Sequence, residues 1–199
     1  MGNTGFDRPS SLNRTINGQN VIDFDGSNDT FFTDNQIASQ PFNMHMVLEI
    51  DAVPSRDSIT YGNNNSGNFE IDTSFNGLVL FNGNTLYTGS IGFGAGDAAL
   101  VGCAGNSFGS QNYSDGNVLG TGDSGTNSWG GGGTPRCWLG SFNGASQHLD
   151  GAMGDFICWE GTSGTERQLV EGFLAWKFGL EANLPSSHPY KSGPPIIYQ

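Results

Sequence analysis

Two short segments carry paired acids at alternate positions, Glu49-Ile50-Asp51 and Glu70-Ile71-Asp72. In a strand, residues i and i+2 share a face, so each segment presents two carboxyl groups to one surface. Carboxyl pairs cleave glycosidic bonds with retention when about 5–5.5 Å separates them. Neither segment is expected to do that chemistry. Each reads as a strand end with its acids on the wet face. A third run, Asp23, Asp25, Ser27 and Asp29, alternates oxygen donors as a Ca2+ loop does. Asn28 stands where an EF-hand loop needs Gly, position 12 is Asp34 rather than Glu, and the flanks read as strands. Asp23, Asp25 and Asp29 are therefore candidate Ca2+ ligands, set against a turn closed by Asx hydrogen bonds. No other cofactor is expected.

The three histidines, His45, His148 and His188, form no Ser–His–Asp arrangement by spacing. His45 falls within a strand, His148 precedes the last strand, and His188 suits packing or hydrogen bonding. Aromatic rings on loops can stack against the apolar faces of sugars. Tyr113 and Trp129 lie in a region rich in Gly, Ser, Asn and Asp, and are the candidate ligand-binding residues. Trp129 is the better placed, because its neighbours are small or polar; its other reading is as an anchor for its own loop or a neighbouring subunit. Trp138, Trp159 and Trp176 read as core. Cys103, Cys137 and Cys158 fit no metal spacing and imply no disulfide framework.

The elements that position these residues read mainly as short strands. Val21–Phe24, Thr30–Thr33, Met44–Asp51, Ser58–Tyr61, Asn68–Asp72, Gly77–Phe81 and Thr85–Tyr87 follow one another at close spacing, with Asn76-Gly77 and Asn82-Gly83 as hairpin turns. Residues 88–135 include the glycine run 130–133 and keep strand character only around Ala99–Cys103. Strands return at Arg136–Gly140, Gln147–Leu149 and Gly154–Glu160. One helix is predicted over 164–178. Ser163-Gly164-Thr165-Glu166 forms a capping box, Leu169, Val170, Phe173 and Leu174 recur at helical spacing, and Gly179 terminates it. The prediction is an all-β antiparallel jelly-roll sandwich with one short C-terminal helix. Residues 1–17 read as an N-terminal arm, 18–182 as the domain, and 183–199 as an extended Pro-rich tail.

Two segments resemble a known family. GDFICWEGTSGTERQLVEGFLAWKFGLEANLPSSHPYKSGPP is similar to the closing strand, helix and tail of LamG-like, concanavalin A-like jelly-roll domains. The matching features are Gly172-Phe173-Leu174-Ala175-Trp176-Lys177, Leu184-Pro185 and His188-Pro189-Tyr190. VIDFDGSNDTFF resembles the opening strand. Together they cover about a quarter of the chain. The resemblance implies a domain of the kind found in phage virion and bacterial surface proteins. Glucanases of the same fold carry Glu-x-Asp-x-x-Glu; here Pro54 and Phe75 stand at the place of the second Glu, so no enzyme is expected.

The bulk composition agrees with these expectations. The 199 residues carry a formal charge of −12 with only seven Lys and Arg, which repels phosphate backbones and anionic lipid. Neither nucleic acid nor membrane is therefore an expected partner. The 32 Gly and 14 Phe suit many turns between bulky strands. The first residues hold no apolar stretch of a Sec signal, position 6 is Phe6 where a myristoylation motif needs Ser or Thr, and no apolar run reaches the about 20 residues of a membrane span. The expected role is a non-enzymatic virion or surface structural protein, a phage decoration or fibre component with glycan binding as a second property. Its expected place is the virion surface, or else the cell surface or extracellular space. Its expected partners are other virion or surface proteins, including copies of itself. The alternative is a carbohydrate-binding adhesion module, and behind it a glycan-degrading enzyme.

Overall fold

The computed structural model describes residues 8–33, 39–53, 56–62, 67–72, 77–127 and 137–196, without the side chains of 12, 13 and 33. Trp129, Asp34, Asn76, the glycine run 130–133 and residues 1–7 lie outside the described residues.

Thirteen strands are described, arranged in two antiparallel sheets. In chain order they are β1 (Ser10–Ile16), β2 (Gln19–Asp25), β3 (Phe31–Thr33), β4 (Phe42–Ile50), β5 (Arg56–Gly62), β6 (Gly67–Asp72) and β7 (Gly77–Phe81). They continue as β8 (Thr85–Tyr87), β9 (Ala98–Gly105), β10 (Ser110–Ser114), β11 (Asn117–Gly122), β12 (Cys137–Leu139) and β13 (Asp150–Glu160). The helix α1 spans Gly164–Lys177. One sheet has seven strands in the order β1-β2-β13-β4-β9-β10-β11, and the other six in the order β3-β12-β5-β6-β7-β8. This is the jelly-roll sandwich that the strand pattern predicts.

The period of two along β4 builds both interior layers. Phe42, Met44, Met46, Leu48 and Ile50 point between the sheets, where they meet Phe69 and Ile71 of β6, Leu78 and Leu80 of β7, and Val101 and Cys103 of β9. Val47, on the opposite face of β4, meets Leu100 and Ala152, and α1 closes over them with Leu174, Ala175 and Phe178. Burying each such side chain contributes about 1.5–3 kcal/mol. The six-stranded sheet therefore keeps its outer face free of the helix.

The helix ends follow the sequence signals. The Ser163 side chain accepts a hydrogen bond from the Glu166 backbone N–H at 3.2 Å. At the other end Gly179 takes φ +65°, and the Leu180 N–H reaches back to the Ala175 carbonyl at 2.7 Å. That is the six-to-one bond of a Schellman cap.

Several expectations need correction. Ser10–Ile16, read as part of a polar arm, is the edge strand of the seven-stranded sheet and pairs with β2 through the Asn17-Gly18 turn. An edge strand with one wet face needs few apolar residues, so its sequence looks like a linker. The region 88–135 holds β10 and β11 as well as β9. Gln147–Leu149 is not a strand. The Pro-rich tail packs back: Leu184 joins the helix-side core, and Trp176 Nε1 donates to the Tyr190 carbonyl at 2.8 Å. Trp138 is buried as the core reading expects, whereas Trp159 and Trp176 are half-buried and belong to neither apolar core cluster.

One buried acid sets a stability prediction. Burial pushes the Asp57 carboxyl up to about 6, with Asp150 adding to the shift and the Asp150 N–H and His148 opposing it. Its folded value lies above the unfolded one, so the folded state holds the extra proton. The stabilisation is complete below about pH 4 and is lost as pH rises through about 6. Asp57→Asn is expected to raise stability at pH 8 by about 1–3 kcal/mol and to leave it little changed below pH 4, measured by urea denaturation across pH. Equal stability of the two proteins at pH 8 would refute it.

Candidate functional site

The free face of the six-stranded sheet carries a cleft of ≈ 320 Å³, lined by Arg56, Tyr61, Asn68, Glu70, Val79, Phe81, Thr85, Tyr87 and Phe142. Strand alternation puts these residues there. On β6, Phe69 and Ile71 enter the core, leaving Asn68, Glu70 and Asp72 on the outer face. On β7, Leu78 and Leu80 point inward while Val79 and Phe81 line the cleft. A bulge in β5 between Ser58 and Thr60 shifts the register, so that Ser58 faces Glu70 and Tyr61 faces Asn68. Thr60 consequently turns inward, where its hydroxyl meets the Met44 sulfur at 4.0 Å. Bulges recur where a side chain must be re-aimed at a site.

The cleft has an aromatic wall and a polar floor. The Tyr61 ring lies 4.2 Å from the Phe142 ring at 45°, and 6.0 Å from Trp138. Tyr87, 46% exposed, stands on the rim. In the floor, Arg56 donates to Glu70 Oε1 through Nε at 3.0 Å and through Nη2 at 2.8 Å, while Asn68 Nδ2 bonds Glu70 Oε2. Ser58 Oγ links Asn68 Oδ1 at 3.2 Å and Gln147 Oε1 at 3.3 Å. Arg56 Nε also lies 3.6 Å from Asp72 Oδ2. Burial pushes the Glu70 carboxyl up, and the Arg56 and Asn68 hydrogen bonds only partly offset it. The Glu70 hydrogen bond holds the Arg56 guanidinium above its ordinary range.

The structure separates the two acidic pairs that sequence treats alike. Glu49 and Asp51 both bind Arg14, and Asp51 is exposed. Glu70 and Asp72 are 1% and 2% exposed, so the expectation that they face water is wrong for this pair. Their face of the sheet is lined rather than bare. The signal for the site was present as the alternation that puts Asn68 and Glu70 on one face of β6. What sequence could not supply was the register that sets Arg56 and Tyr61 beside them.

The sequence-chosen residues lie elsewhere. Tyr113 is on β10, not on a loop. It is 3% exposed, donates to Gln111 Oε1 at 2.6 Å, and has Arg167 4.5 Å above its ring. Burial pushes its hydroxyl up to about 12. It lines a second recess with Asn43, Asn106, Gln111 and Arg167 on the helix side. Trp129 lies outside the described residues. Asp23 accepts Arg14 Nη1 at 2.9 Å. Asp25 Oδ1 accepts the Ser27 and Asn28 N–H groups at 2.9 and 3.3 Å, and Asp29 Oδ2 accepts the Asp25 N–H at 3.0 Å. The bond from Ser27 N–H to Asp25 Oδ1 is that of an Asx turn. Among the described residues no three His, Cys, Asp or Glu side chains come together as a metal cage.

A buried polar cluster fastens the helix. Glu171 accepts Arg167 Nη1 at 2.5 Å and pairs with His188 Nε2 at 3.2 Å, and His45 Nδ1 lies 3.9 Å away. His45 is sandwiched between Tyr113 and Trp159, with ring centres 5.4 and 5.6 Å distant. His188 thus has the hydrogen-bonding role expected of it.

No family model matches the sequence, and no curated protein matches it. Solved structures match the fold. The chain is similar to a candidate carbohydrate-binding protein from Bacteroides ovatus, at 14% identity and TM-score 0.57, covering 76% of this chain and 46% of that one. It is similar to the sialidase module CBM40 of Ruminococcus gnavus bound to α2,3-sialyllactose, at 12% identity and TM-score 0.56, over 73% and 92%. A SAP-like pentraxin from Limulus polyphemus matches at 13% identity and TM-score 0.54, over 75% and 80%. The chain spans less than half the Bacteroides protein. At these identities the likeness is one of fold. Among the described residues no helix is long and apolar enough to cross a membrane.

Proposed function

We propose that this chain is a non-catalytic carbohydrate-binding domain whose ligand occupies the cleft on the six-stranded sheet. The observation that carries this reading is the pairing of an aromatic wall, Tyr61, Phe142 and Tyr87, with a buttressed polar floor, Arg56, Asn68 and Glu70. Sugars present apolar faces and hydroxyl edges together, and this surface offers a partner to each. Of the roles expected from sequence, the solved structures of similar fold favour the adhesion module over the virion component. One of those modules holds sialyllactose.

The test is a glycan array followed by titration calorimetry on the hits. Tyr87→Ala is expected to weaken binding about tenfold or more, a loss of about 1.4 kcal/mol, with an unchanged melting temperature. Trp129→Ala is expected to leave binding unchanged. Loss through Trp129→Ala with Tyr87→Ala silent would move the site away from the cleft, and an array without hits would end the reading. Release of reducing sugar from any bound polysaccharide would refute the non-catalytic part.

A further inference from the structure

The recess on the helix side, of ≈ 370 Å³, is built on a row across three strands. Asn43 of β4, Ala104 of β9 and Gln111 of β10 stand opposite one another in register. The short Ala104 side chain between two longer amides leaves the space. Its walls are braced. Tyr113 donates to Gln111 Oε1 at 2.6 Å, and Gln111 Nε2 to Thr121 Oγ1 at 3.1 Å. Arg167 lies 4.5 Å over the Tyr113 ring, with Nη1 tied to Glu171 at 2.5 Å. Two polar groups of the wall are left over. Asn43 is 2% exposed, and its Nδ2 donates to the Gly161 carbonyl at 2.6 Å. Oδ1 is therefore the end available to the recess, and it accepts no hydrogen bond from the described residues. Nε and Nη2 of Arg167 donate to none of them. A buried acceptor ordinarily has a partner. A hydroxyl gives one bond and takes others, so it completes an acceptor and a donor together. A carboxylate or phosphate would satisfy Arg167 but set its oxygens against the Asn43 oxygen. On the rim, the turn Ser107–Gly109 carries Phe108, 80% exposed and the most exposed large apolar side chain among the described residues. The Ser107 N–H fixes that turn by donating to Gln40 Oε1 at 2.8 Å.

We infer that this recess is a second glycan-binding site, in which Asn43 Oδ1 and Arg167 hold sugar hydroxyls and Phe108 packs against the apolar face of the glycan. It is built from residues other than those of the cleft and lies on the other sheet, so it stands or falls separately. With both sites filled, the domain joins two glycan chains across its thickness.

The experiment follows side-chain amide NMR signals of the full isotope-labelled chain during titration with lactose, cello- and chito-oligosaccharides, and separately with inorganic phosphate. Asn43 and Gln111 report on the recess, and Asn68 on the cleft. At least one sugar is expected to move the recess signals to saturation, equally in the native chain and in Tyr87→Ala. Phe108→Ala is expected to weaken that binding about tenfold, with an unchanged melting temperature and an unchanged Asn68 response. Ala104→Leu fills the hollow and should abolish the recess response; if it does not fold, Phe108→Ala decides. A response at Asn68 alone overturns the second site and leaves the cleft standing. A response at the recess alone supports the second site and removes the cleft. Recess signals that phosphate moves and no sugar moves overturn the glycan assignment, and an undiminished recess response in Phe108→Ala overturns the site as assigned. Silence at all three amides overturns both sites.

Discussion

Glu171→Ala is expected to lower the unfolding free energy by about 3–5 kcal/mol, the largest loss of any single change considered for this fold. The carboxylate is fully buried on α1 and is shared by three parts of the chain. It receives Arg167 from its own helix at 2.5 Å and His188 from the tail at 3.2 Å, and it lies 3.9 Å from His45 of β4. Burial alone would push this carboxyl up. The His188 hydrogen bond, the neighbouring His45, and the charge and hydrogen bond of Arg167 together outweigh burial and hold it below the usual carboxylate range. Truncation leaves a guanidinium and an imidazole without their acceptor in a space closed by the helix. For a chain of this size the loss corresponds to roughly 6–20 °C in melting temperature. Glu171→Gln keeps the volume and one acceptor, and should cost less. Chemical denaturation of both variants checks this, and a loss under about 1 kcal/mol for the alanine variant would show that the cluster does not hold the helix down.

The second large effect is acid sensitivity centred on His45. Burial pushes this imidazole down to about 4; Glu171 opposes the shift and Arg167 adds to it. Tyr113 and Trp159 flank the ring, and His188 shares its carboxylate. In the unfolded chain a histidine titrates near 6.5. Below that pH the unfolded state takes a proton that the folded state refuses, so stability falls as pH drops from 6.5 toward 4. A shift of this size corresponds to about 3 kcal/mol. Asp57 works in the opposite direction over nearly the same range, so the native protein should show a shallow slope there. Each single variant exposes the other's contribution. His45→Leu should gain stability relative to the native chain as pH falls through 6, and Asp57→Asn should lose it. Denaturation curves at pH 4, 5, 6 and 7 give both differences, and parallel curves for native and His45→Leu would sink the argument.

Much of the sandwich was legible because its strongest signals are local. The alternation along β4, the Ser163 and Glu166 cap and Gly179 each need only a few residues to be read, and each appears as expected. The misses share a cause. Residues 88–127 look like loop because they are rich in glycine, yet several of those glycines are dictated by packing. A Cβ on Gly102 would collide with the His45 ring, one on Gly105 with Phe42, and one on Gly120 with the Thr88 side chain. Sequence shows the small residue but not the ring across the sheet that demands it. The Asp115-Gly116 turn that joins β10 to β11, with φ +49° and +77°, is a hairpin signal that could have found both strands. The cleft was half-legible. Its acid Glu70 was visible beside Asn68 on one strand, but its cation and its aromatic wall come from neighbours whose alignment depends on the β5 bulge. A one-residue shift moves every side chain to the other face, and no local pattern announces it.

The helix and the tail lie together on the seven-stranded sheet, and Trp176 holds Tyr190 there. The cleft opens on the opposite side of the molecule. Any attachment made through the tail would therefore leave the mouth of the cleft pointing away from the point of attachment.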